Sequence, residues 1–153
     1  MSSNLSFTIA VTAYYGYLQL ILHLLGDYLI QSDNMANKKT NSWLWAFIHS
    51  LTYSISFFLI GSPLAVLFIF LTHLMIDRFR LVRFILKLKE WRFNEYWGYI
   101  TQGPDAKQPF MWIWLMIIAD NSLHIIINYF SILIFGVNKT MFQYFLRLLD
   151  FQA

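Results

Sequence analysis

Four long apolar segments, each with a histidine inside it, constrain this chain more than any other feature. They run at about 9–31, 43–61, 63–78 and 110–136, and they hold all four histidines: His23, His49, His73 and His124. A hydrocarbon core of about 30 Å takes close to 20 residues to cross at about 1.5 Å per residue. Three segments reach that length. The third is shorter but runs without Gly or Pro into "DRFRLVRFILKLKEW", which predicts one long helix whose end leaves the bilayer. Only 12% of residues are charged, against roughly 25% in an average soluble chain. The expected fold is an all-α membrane protein: a four-transmembrane-helix bundle, with a basic amphipathic cytoplasmic extension of the third helix, forming a single integral domain over residues 1–153.

Basic residues set the expected orientation. Lys38 and Lys39 lie in the first connection and Arg78, Arg80, Arg83, Lys87, Lys89, Arg92 and Lys107 in the third, while "IGSPL" between the second and third segments has none. By the positive-inside rule both basic connections are cytoplasmic. Both termini then lie on the non-cytoplasmic side of a multi-pass inner-membrane protein. The net charge of +3 reports topology, and nucleic acid is not an expected partner. The first segment is not read as a cleavable signal, because residues 1–10 carry no Lys or Arg and the apolar run exceeds an h-region. With no cysteine, disulfides, thiolate metal sites and thiol nucleophiles are excluded.

The interfacial segment at about 78–99 is expected to lie against the membrane surface. Phe79, Val82, Ile85 and Leu86 are spaced for its apolar face. Arg80, Arg83, Lys87 and Lys89 are the candidate contacts to anionic lipid headgroups. Trp91, Phe93, Tyr96, Trp97 and Tyr99 follow as an expected aromatic belt, "TQGPDAKQP" as a turn-rich loop, and residues 139–150 as a short interfacial helix.

Chemistry is expected where the polar residues of the segments meet. His23 is followed by Asp27, His73 by Asp77, and Asp120 by His124, each four residues on. On a helix such pairs share one face. An unpaired intramembrane Asp costs about 2.5–3.5 kcal/mol, so three facing lipid would cost about 8–10 kcal/mol. They must face one another or a cation. Gln19, His23 and Asp27 form one stripe, His49, Tyr53 and Ser56 a second, His73, Asp77 and Arg80 a third, and Asp120, His124 and Ser131 a fourth. With alternating helix directions the stripes meet in the cytoplasmic half of the bundle. Candidate metal ligands are His23, Asp27, His49, His73, Asp77, Asp120 and His124, with Gln31, Tyr53, Arg80 and Asn121 at the rim or second shell. Such ligands suit one or two divalent ions, Zn²⁺, Mn²⁺ or Fe²⁺. A divalent ion, protons or Arg80 would balance the three carboxylates.

"HLLGDYLIQ", the histidine of the second segment, "HLMID" and "DNSLH" together resemble an uncharacterised family of small polytopic inner-membrane proteins of bacteria and phages, a domain of unknown function numbered 3307. The resemblance covers Leu18 to Leu133. The family pattern H-x3-D-x3-Q falls on His23, Asp27 and Gln31, and H-x3-D on His73 and Asp77. Its D-Q-x2-H falls on Asp120, Asn121 and His124, with Asn121 in place of Gln. The resemblance implies an arrangement and no activity.

Three functions fit these residues. A metal-dependent intramembrane hydrolase would act on a lipid or lipid-linked substrate in the cytoplasmic leaflet, through a metal-bound water acidified toward pH 7. A small transporter or proton/cation permease would use the His/Asp pairs as relays, and its pathway through four spans would call for a homo-oligomer. A non-catalytic scaffold would keep the His/Asp network only to fix helix packing. No Ser or Thr stands as a nucleophile, so no catalytic residue is assigned.

The topology has a direct check. Reporters fused after Lys39 and near Gln102 should read as cytoplasmic and one at the C-terminus as external; a cytoplasmic C-terminus overturns the span count or its orientation.

Overall fold

The computed structural model describes residues 2–90 and 109–140, together with Gln143, Tyr144 and Arg147. The expected aromatic belt, the loop after it and most of the expected C-terminal interfacial helix lie outside the described residues. Those described form an all-helical fold. Helix α1, Ser2–Leu24, widens into a π-helical segment, Leu25–Ile30. A short helix α2 follows, Asp33–Lys38; α3, Trp43–Ile55, tightens into a 3-10 turn at Ser56–Leu59. Then come α4, Pro63–Phe79, α5, Val82–Glu90, and α6, Pro109–Phe135.

Two helix starts have a local cause. Ser32 caps α2, its hydroxyl accepting from Met35 N–H at 3.4 Å. Ser62 caps α4, accepting from Ala65 N–H at 3.2 Å, with Pro63 in the first turn where its missing N–H costs nothing. At the same end of the molecule Gly136 takes φ +94°, and its carbonyl accepts from Ser62 N–H at 3.0 Å. That bond and the one from Asn138 N–H to Ile60 O, 2.8 Å, tie the α3–α4 turn to the end of α6.

The four long helices close into a ring. α3 packs along α4, α4 against α6, α6 against α1, and the π-helical end of α1 returns to α3. Tyr15, Leu22, Phe57, Ile60, Val66, Ile69 and Ile132 fill one half of the interior. The other half is polar: His23, His49, His73, Asp77 and His124 are all at most 4% exposed. The outside is the reverse. Leu64, Leu67, Phe68, Leu71, Ile118, Ile126, Phe130 and Leu133 all face outward on α4 and α6. By length and composition one described helix is long and apolar enough to cross a membrane, Ile113–Phe135, and Trp43–Leu59 is a shorter apolar helix.

The expectation of one unbroken third helix is corrected. α4 ends at Phe79, and Arg80 stands in the left-handed region at φ 49°. Leu81 N–H closes back on Ile76 O at 3.0 Å, the hydrogen-bond pattern that terminates helices at such a residue. Arg in place of Gly there costs about 1–2 kcal/mol, and a hydrogen bond from Arg80 Nη2 to Thr40 Oγ1, 3.4 Å, helps hold it. The break turns α5 back onto α6, so its buried residues are Val82 and Leu86. Phe79 and Ile85, the other two residues of the expected apolar face, are 46% and 44% exposed.

The first connection is not a plain loop either. Helix α2 packs against α3 and carries Lys39 underneath the ring. Regular α-helical spacing is likewise lost after Leu24, because the π-helical segment adds a residue to each turn and leaves Gln31 outside the helix in an extended conformation.

Gly26 makes the ring closure possible. A Cβ there would collide with the Tyr53 ring. Gly26→Ala should therefore destabilise the protein by about 1–3 kcal/mol, the usual cost of overpacking. Thermal unfolding in detergent checks this, and an unchanged midpoint would mean that the α1–α3 approach is looser than described.

Candidate metal centre

The ring brings histidines and carboxylates from three helices to one point. His49 Nε2 lies 2.9 Å from His73 Nε2. Asp77 Oδ2 is 3.0 Å from the first and 3.2 Å from the second. Asp27 Oδ1 is 3.3 Å from His49 Nε2 and 3.6 Å from His73 Nε2. Four ligands at about 2.0–2.1 Å around a tetrahedral Zn²⁺ stand about 3.4 Å apart. Five of the six separations among these four atoms are close to that value, at 2.9–3.6 Å. Asp27 Oδ1 is buried and takes no hydrogen bond from any described residue.

A second group adjoins the first. His73, Asp77 and His124 offer ligand atoms within 4.8 Å of one another. His124 Nε2 is 3.5 Å from Asp77 Oδ1, so Asp77 turns one oxygen to each group. These two buried His/Asp groups can hold a metal ion. Tyr53, fully buried, stacks on His73 at 3.7 Å between ring centroids and fixes that imidazole's plane.

His23 sits differently from the ligand expected of it. Asn121 Nδ2 donates to Ile117 O at 2.7 Å, which turns Asn121 Oδ1 toward His23 Nε2, also 2.7 Å away. His23 Nε2 therefore carries the proton. Asn128 Nδ2 donates to the Tyr53 oxygen at 2.6 Å, leaving the Tyr53 hydroxyl proton for His23 Nδ1 at 2.8 Å. Both nitrogens are committed, and His23 supports the centre from outside it. Its other neighbour is Asp27 Oδ2, 3.4 Å away. Asp120 is also peripheral: its side chain is 32% exposed and its Oδ2 lies 3.7 Å from His124 Nε2.

The counter-ion is Lys39, which is not among the expected sources of positive charge at the carboxylates, a divalent ion, protons or Arg80. Lys39 Nζ lies 2.8 Å from Asp77 Oδ2 and 3.4 Å from His49 Nε2, and donates to Gln31 Oε1 at 3.2 Å. Arg80 instead reaches Thr40. The physical reason is α2, which folds the connection under the ring so that the long Lys39 stem can carry its ammonium inward. The capping signal Ser32-Asp33-Asn34 could have revealed this helix. Asn128, also overlooked, is one turn beyond His124, and the same four-residue spacing that picked out the His/Asp pairs would have found it. Arg83 is exposed, and nothing is described of the side chains of Lys87 and Lys89.

The family described as "Protein of unknown function (DUF3307)" matches residues 17–150, and the chain belongs to it. No curated protein and no solved structure matches the chain.

Lys39 and a divalent ion would compete for Asp77 Oδ2 and His49 Nε2. Lys39→Met should lower the stability of the metal-free protein by about 2 kcal/mol, between the costs for exposed and buried ion pairs. It should also raise metal affinity, by up to about 30-fold if that whole term is returned on binding. Titration of Zn²⁺ or Mn²⁺ into both proteins checks the sign, and weaker binding by the variant would make Lys39 a supporting residue of the site instead of a competitor.

Proposed function

We propose that this chain is a four-span inner-membrane protein that holds one or two divalent ions in the cytoplasmic half of its bundle. We read the centre as that of a hydrolase for a lipid or lipid-linked substrate. One observation carries this reading: His49 Nε2, His73 Nε2, Asp27 Oδ1 and Asp77 Oδ2 gather in five contacts of 2.9–3.6 Å, and Asp27 Oδ1 among them is buried without a hydrogen bond from any described residue. A purely structural network would be expected to satisfy that oxygen, because a buried acceptor without a donor costs about 1–3 kcal/mol.

The membrane part of the reading rests on polarity turned inside out. Among the described residues ten polar or charged side chains are buried, including Gln19, Ser50, Ser54, Asn128 and Ser131, while Leu, Ile and Phe crowd the exterior. Water would penalise that arrangement and lipid favours it. The positive-inside rule puts α2 and α5 in the cytoplasm, so the centre opens to the cytoplasmic leaflet. The exposed Phe84, Ile85 and Leu88 of α5 suit contact with the bilayer surface.

A bound ion of this kind supplies a Lewis acid and an acidified water. The chain's own groups do the rest. Tyr53 holds the His73 ring in plane, and His23 with its partners Asn121 and Tyr53 stands behind Asp27. Asp120 lies beside His124 at the exposed edge, its Oδ2 3.7 Å from His124 Nε2.

The Lys39–Asp77 pair favours a second reading, a cation or proton permease in which Lys39 moves aside as the ion passes. Such a protein would work as a homo-oligomer, since four spans enclose little pathway.

Metal content decides between them. Protein purified in mild detergent should carry stoichiometric transition metal. His73→Ala should remove it, and Asp120→Asn should weaken it by about 10- to 100-fold, as outer-sphere changes do. If no preparation contains metal while Asp77→Asn abolishes ion flux in vesicles, the permease reading replaces the hydrolase.

A further inference from the structure

Beside the metal centre lies a basic cleft that neither the ring packing nor the centre uses. It encloses about 420 Å³ and is lined by Thr40, Asn41, Arg78, Phe79, Arg80 and Arg83. Three arginines, a threonine and an asparagine line one space, and no Asp or Glu is among its described lining residues. We propose that this cleft is a phosphoryl-binding site, and that it seats the phosphate of the substrate on which the metal centre acts. The second half of that statement rests on the hydrolase reading above.

The Arg78 and Arg80 guanidiniums are held in place before any ligand arrives. Arg78 Nη1 donates to Thr40 O, and Arg80 Nη2 donates to Thr40 Oγ1 at 3.4 Å. The Arg78 guanidinium also lies over the Trp43 ring at 4.9 Å and near Phe79 at 5.9 Å. Its Nε is buried and donates to no described residue. A receptor whose arginines are already ordered loses less freedom on binding. Planar, permanently charged guanidinium forks match phosphate oxygens two at a time, as a lysine ammonium does not.

Position makes the link to chemistry. Thr40 follows Lys39 and Arg78 follows Asp77, and Lys39 meets Asp77 at 2.8 Å. The same two stretches of chain therefore wall both sites, one residue apart on each side. Phe79, about half exposed, borders the cleft with apolar surface. The chemistry on offer is that of a phosphate mono- or diester, either a lipid headgroup or a free phosphate compound. The volume lies within the range of about 300–1,000 Å³ usual for small-molecule sites.

The test uses the full chain in neutral detergent, stripped of metal with chelator, so that the cleft is read independently of the centre. Inorganic phosphate and dihexanoylphosphatidic acid are titrated calorimetrically into wild type, Arg83→Gln and Arg83→Glu. Arg83 is exposed, so both variants should fold. The expected result is binding of at least one probe, about tenfold weaker in Arg83→Gln and lost in Arg83→Glu. Tighter binding of the lipid would identify a headgroup site; equal binding would identify a site for free phosphate. Absence of binding by either probe, or affinities unchanged in both variants, would overturn the cleft. Metal content of Arg83→Gln should equal that of wild type. A chain that binds phosphate through Arg83 yet never carries metal keeps the cleft and removes the hydrolase.

Discussion

The buried carboxylate of Asp77 is the constraint on which the rest of the structure depends. It is 3% exposed and meets Lys39, His49, His73 and His124, which come from the first connection, α3, α4 and α6. An ionised carboxylate out of water costs several kcal/mol unless charges and donors surround it. Satisfying it therefore fixes where three helices and one loop must stand. Helix α2 exists in its place because Lys39 has to arrive from below, and α4 cannot continue straight because the residues just past Asp77 turn toward Thr40.

Tyr53 divides the interior in two. Its ring belongs to the apolar cluster with Phe57 and Ile69, while its hydroxyl joins His23 and Asn128. The same ring stacks on His73 and excludes any side chain at Gly26. One residue thus sets the distance between α1 and α3, the tautomer of His23 and the plane of His73. A phenylalanine could set the distance and stack on His73, but without the hydroxyl it could not fix the tautomer of His23. The π-helical segment at Leu25–Ile30 follows from this crowding: Gly26 gives way to the ring, and the helix widens where the chain must bring Asp27 to the centre and then leave for α2.

The four helices and their polar stripes were legible because helical periodicity is local. His23 with Asp27, His73 with Asp77, and Asp120 with His124 announce themselves by spacing alone. What spacing does not say is how deeply each member penetrates. His23 and His73 occupy equivalent positions in their motifs, yet one has both nitrogens tied up by Tyr53 and Asn121 and the other points Nε2 at His49 and Asp77. That difference is made by residues on other helices.

Sequence by itself determined the four long helices, the histidines' placement on inward faces and the positive charge of the two connections. These follow from side-chain hydrophobicity and the 3.6-residue turn, which act over a few residues and need no partner. Only the tertiary structure decided that Lys39, and not Arg80, neutralises Asp77, that α4 breaks at Arg80, and that Asp27 and Asp77 face the same pair of imidazoles. The reason is physical. A charge is neutralised by whichever opposite charge the fold brings within about 4 Å, and that proximity is a property of packed helices, set by contacts between residues far apart in the chain.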